Sequence, residues 1–79
     1  MQWVNVKFRR FKKWTRSYTY KASLPLSRND IVIVPVDDFY DVGKVYEVME
    51  NFNPNPNIKY KAIVARINGV IEKFEEYND

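Results

Sequence analysis

Residues 9–16 read Arg9-Arg10-Phe11-Lys12-Lys13-Trp14-Thr15-Arg16, five cations and two aromatic rings in eight consecutive positions. Guanidinium and ammonium groups neutralise phosphates, and ring faces stack unpaired bases, so this combination is the chemistry of a nucleic-acid contact. The surrounding sequence repeats it. Residues 1–28 carry eight basic side chains and no acidic one, together with Trp3, Phe8, Phe11, Trp14, Tyr18 and Tyr20. Residues 29–79 carry five basic and ten acidic side chains, so a net charge of +3 conceals +8 against −5. A positive field draws polyanions, which makes a phosphate backbone or an acidic protein surface the first class of partner to consider. In alternating strands the same residues would be a solvated basic face over an aromatic core. Alternation breaks down in residues 9–16, and there the binding reading is the stronger.

Other chemistries are poorly supplied. The chain has no cysteine and no histidine, which removes disulfides, thiol catalysis, the commonest general base and the commonest metal ligand. Asp37, Asp38 and Asp41 lie close together, but the full set of alternate ligands and the terminal bidentate glutamate of a calcium loop do not follow. Ser17, Ser23 and Ser27 have no base to activate them, and two glycines, Gly43 and Gly69, make no phosphate loop. No enzyme, metal or cofactor is expected. At 79 residues the chain is one small domain with a thin core. The longest apolar run, residues 31–36, is far short of a membrane-spanning helix and no secretory signal is visible, so a cytoplasmic protein is expected.

The elements that must position these groups read mostly as short strands. Val4, Val6 and Phe8 alternate with polar residues over about 3–9, and Tyr18 and Tyr20 do so over about 16–21. The residues between them form a hairpin connection whose tip carries residues 10–14. Residues 24–30 are turn-rich, residues 31–34 are a β-branched strand stopped by Pro35, and residues 37–41 are a polar connection. Gly43 starts or bends a strand over 44–50. The Asn/Pro stretch 51–57 is an exposed, extended loop, and residues 58–67 alternate as one long strand. Asn68-Gly69 is a strong hairpin signal. Val70, Ile71, Phe74 and Tyr77 nevertheless fall at helical spacing, and we read the C-terminus as a short helix. The expected fold is a mainly β, small α+β domain: a five-stranded, mostly antiparallel sheet curled into a small barrel, with that helix closing one end.

Three runs carry a resemblance: Arg16-Ser17-Tyr18-Thr19-Tyr20, then Asp30-Ile31-Val32-Ile33-Val34-Pro35, then Val42-Gly43-Lys44-Val45-Tyr46-Glu47-Val48. Together they resemble the N-terminal domain of the primosomal helicase PriA, a small β-domain that captures the 3′ end of DNA at a fork. With Tyr60-Lys61 they also resemble small stand-alone phage proteins of unassigned role. The resemblance spans about residues 3–67. It implies that Tyr18 stacks on a terminal base and that the backbone approaches the ligand at Gly43. The family's acidic residue after the stacking aromatic, which engages the terminal hydroxyl, is Thr19 here, and its glycine before the second run, the β-branched strand that ends in proline, is Asn29.

Two functions follow as expectations. One is a nucleic-acid-binding module for single-stranded, ended or forked DNA, using Arg9, Arg10, Phe11, Lys12, Lys13, Trp14 and Arg16 with Tyr18, Thr19 and Gly43. The other is a phage-encoded adaptor that presents the same basic-aromatic surface to a host protein and binds no nucleic acid.

Overall fold

The computed structural model describes residues 1–23, 25–69 and 71–73, and the described chain is almost entirely strand and turn. The strands are β1 (Gln2–Lys7), β2 (Arg9–Arg10), β3 (Lys13–Trp14), β4 (Tyr18–Ala22), β5 (Ile31–Val36), β6 (Phe39–Met49), β7 (Ala65–Ile67) and β8 (Ile71–Lys73). Five of them form an antiparallel sheet in the order β4-β1-β6-β5-β7, which β8 extends at the β7 edge. β2 and β3 form a separate two-stranded ribbon that stands off the sheet.

β1 lies one strand in from the β4 edge, and its alternation gives it one buried face. Val4 and Val6 point inward and are fully buried, while Asn5 and Lys7 stay partly exposed on the outer face. Opposite them, Val32 and Val34 of β5 and Val45 of β6 complete an interior that Phe8, Tyr20, Ala22, Leu26 and Ile63 fill out. Each buried valine contributes roughly 1.5–3 kcal/mol relative to exposure, so a handful of them carries much of a domain this size. Gly43 belongs to this interior. A Cβ there would overlap Val6 Cγ1 and lie 3.0 Å from Phe8 Cε1, so only glycine lets β6 lie this close to β1.

The structure corrects several expectations. The sheet is not closed into a barrel: among the described residues, β4 and the β7 side are joined by an isolated parallel bridge at Lys21 and Ala62, held by two backbone hydrogen bonds. No helix occurs among the described residues. Residues 71–73 instead pair with β7, with Gly69 at φ 77, so the hairpin signal prevails over the helical spacing; residues 74–79 lie outside the described residues. The alternation over 58–67 yields a strand only at Ala65–Ile67, because the chain crosses from the β4 edge to β5 on the way. Pro35 does not stop β5, which runs on to Val36. Pro35 sits beyond the last β7 pairing, where the missing N–H costs no ladder bond. The connection expected over 37–41 shrinks to a two-residue turn, since Phe39 already pairs with Val36. The Asn/Pro loop is exposed but anchored: the Tyr60 hydroxyl accepts from Asn55 N at 3.1 Å, and Phe52 and Tyr60 pack on Trp3. No helix among the described residues is long and apolar enough to cross a membrane.

Candidate nucleic-acid interface

The basic run folds as a tight hairpin. Arg9 pairs with Trp14 and Arg10 with Lys13, leaving Phe11 and Lys12 as a two-residue turn. Thr15 fastens its base: its N–H donates to the Phe8 carbonyl at 2.8 Å, and its Oγ1 accepts from Phe8 N at 3.0 Å. A two-residue hairpin of this twist needs positive φ at both central residues, a role usually filled by Asn-Gly. Here Phe11 has φ 49 and Lys12 φ 66. Such left-handed backbone costs a residue with a Cβ roughly 1–2 kcal/mol, so the tip is strained. Phe11 is 98% exposed. It is held out in water by an unfavourable backbone, which no requirement of the core explains.

At the foot of the hairpin lies a cleft of about 230 Å³ on the outer face of β1 and β6, lined by Lys7, Trp14, Arg28, Lys44, Tyr46 and the Asn29 turn. A register shift shapes it. Asn5 pairs with Glu47 but Val6 pairs with Val45, so Tyr46 is the extra residue of a β-bulge. Bulges re-aim side chains, and this one brings the Tyr46 ring beside Lys7, whose Nζ lies 3.7 Å from the ring centroid. Arg28 reaches the same ring at 5.7 Å. It is carried by a turn in which Asp30 N donates to the Ser27 carbonyl and Asn29 takes the left-handed conformation, φ 78. Trp14 has Arg9 at 5.6 Å and Lys44 at 5.3 Å from its ring. Trp14 and Tyr46 remain 45% and 46% exposed, and no carboxylate lines the cleft between them.

The residues singled out from sequence therefore divide among four places. Trp14 lines the cleft with Arg9 over its ring, and Phe11, Lys12 and Lys13 form the tip. Arg10, Arg16, Tyr18 and Thr19 line a broader groove on the other side of the hairpin, bounded also by Asp37, Phe52 and Tyr60. Arg10 there is ion-paired with Asp41, and Arg16 lies over the Tyr18 ring at 5.1 Å. Tyr18 is half exposed beside Phe8, whereas the Thr19 hydroxyl donates to Asn5 Oδ1 at 2.9 Å on the opposite face of β4. Gly43 is the interior contact already described. Tyr20, behind Tyr18, is buried, and its hydroxyl bonds the Pro35 carbonyl. Burial first, then the nearby charges of Asp41, Tyr18 and Asp37, raise its pKa above the ordinary tyrosine value.

Sequence reasoning missed Lys7, Arg28, Lys44 and Tyr46. The signal that could have found Tyr46 is a break of phase in β6, where inward Gly43 and Val45 are followed by Val48 rather than residue 47. No family model, curated protein or solved structure matches this chain. The functional reading rests on the geometry: two accessible rings, four cations around them and a protruding basic tip.

Proposed function

We propose that the protein is a nucleic-acid-binding module that takes a single strand, DNA in the first instance, across the outer face of β1 and β6. The observation that carries this reading is the cleft itself. Trp14 and Tyr46 are about half exposed, each with two cations over its ring that a base could displace toward phosphate, and no carboxylate lines the space between them. Bases stack on such rings regardless of identity, and Lys7, Arg9, Arg28 and Lys44 are near enough to meet the phosphates that follow. The mode is sequence-tolerant and salt-dependent. Selective capture of a 3′ end draws less support, because the Thr19 hydroxyl is engaged by Asn5 and Gly43 is shut inside the core.

The test is a titration of single-stranded, duplex and forked oligonucleotides across a series of salt concentrations. Trp14→Ala and Tyr46→Ala are each expected to weaken single-strand binding by ~1–3 kcal/mol while leaving the salt slope alone. Absence of binding to any oligonucleotide at low salt would sink this reading and transfer the surface to an acidic protein partner.

A further inference from the structure

We propose that Phe11 is a wedge that unstacks the last base pair where a duplex meets a single strand, so that the ligand class is the junction rather than the strand alone. This rests on the single-strand reading of the cleft and adds to it. Two observations converge on the tip. Phe11 is 98% exposed, so it serves no packing role in the free protein. Its turn holds two residues with side chains at φ 49 and 66, where an Asn-Gly pair would fold more easily. Strained backbone that persists at an exposed tip marks a place where function outweighs stability.

The position of the tip fits the role. Phe11 lies two residues beyond the Arg9–Trp14 pair, a reach of roughly 7 Å at strand spacing. That is about two stacking steps of a nucleic-acid strand. A strand whose base rests on Trp14 thus brings the base about two steps further on against the Phe11 ring. Apolar side chains inserted at such a step part stacked bases, and the adjoining Lys12 and Lys13 can hold the phosphates on either side. An anionic bilayer could receive an apolar tip ringed by cations as well. A bilayer would receive Phe11 alone, since Trp14 and Tyr46 lie at the hairpin's foot with cations over their rings, and one apolar side chain buries too little area to anchor there.

The experiment compares a single strand with the same strand carrying a duplex segment, with 2-aminopurine in the last base pair. Wild type, Phe11→Ala and the double variant Phe11→Asn with Lys12→Gly are compared. Wild type is expected to bind the junction about tenfold more tightly than the strand and to raise the probe's fluorescence. Phe11→Ala is expected to weaken junction binding about tenfold more than single-strand binding, and so to lose both the junction preference and the fluorescence rise. The double variant is expected to melt at higher temperature, because its turn is relaxed, and to lose the same two signals. A junction preference that survives in both variants overturns the wedge, as does a wild type that binds strand and junction alike. Binding to phosphatidylserine vesicles that depends on Phe11, without any junction preference, overturns it in favour of a membrane contact. If no oligonucleotide binds at all, the single-strand reading falls and the wedge with it, whereas normal strand binding without junction preference fails the wedge alone.

Discussion

Val4, Val6 and Phe8 are buried against Gly43 and Val45, whereas every one of the next six residues, 9–14, is exposed. The two stretches are continuous in the chain, and both are strand apart from Phe8 and the Phe11-Lys12 turn. What separates them is the second layer: β1 is paired on both sides and covered from within, while β2 and β3 pair only with each other. In the first stretch a single added methyl group has nowhere to go. In the second, side chains answer to water and to whatever binds there. The core and the exposed basic surface are therefore built from neighbouring but separable sets of residues.

Gly43→Ala tests this separation with the largest expected effect. Crowding Val6 and Phe8 should lower stability by ~1–3 kcal/mol in denaturant melts, while the folded fraction keeps its affinity for oligonucleotides. An unchanged midpoint would mean that β6 can move away from β1 without loss. Replacing Lys12 and Lys13 by Ala is the converse experiment. Stability should stay within about 0.5 kcal/mol, and the slope of log affinity against log salt should flatten by about 1.4 for a single strand. An unaltered slope would show that neither ammonium reaches a phosphate.

The smallest effect lies at the border between the regions. In the unfolded chain Tyr20 ionises near its ordinary value of 10.0, but the fold holds its proton to higher pH. Its contribution to stability is whole below that value and is lost as pH rises through the raised one, because the unfolded chain releases its proton first. Alkaline melts of wild type should show this decline, and Tyr20→Phe should flatten it. The cost at neutral pH should be about 1 kcal/mol, for the hydrogen bond to Pro35. Parallel alkaline profiles for the two proteins would refute the assignment.

The strands were legible where alternation was local, as in β1 and β4, or where β-branched residues ran together, as in β5. The basic hairpin was legible from charge, since Lys and Arg in tight succession have no place in a small core. What pattern could not supply was pairing across distance. Lys7, Arg28 and Lys44 look like ordinary solvated cations until β1, the Asn29 turn and β6 bring them around two rings. Tyr46 is positioned by a bulge, and a bulge is defined by the partner strand as much as by its own residues. The C-terminus misled because its helical spacing is a property of side chains, while Gly69 acts on the backbone. A glycine that reaches φ 77 without penalty sets the turn first.

The place of β1 between β4 and β6 bears on how the chain is made. Its partners on one side are residues 44–49, roughly forty positions downstream. At synthesis rates of about 5–20 residues per second, β1 leaves the ribosome roughly 2–8 seconds before it can be covered. During that interval Val4, Val6 and Phe8 form an apolar segment facing solvent, the kind that recruits other nascent chains. The cations that follow directly in residues 9–16 repel such encounters, as charged gatekeepers do. The basic run thus protects the nascent chain before there is a fold for it to decorate. Neutralising Lys12 and Lys13 should accordingly lower soluble yield in cell-free translation, even though the finished sheet does not miss them.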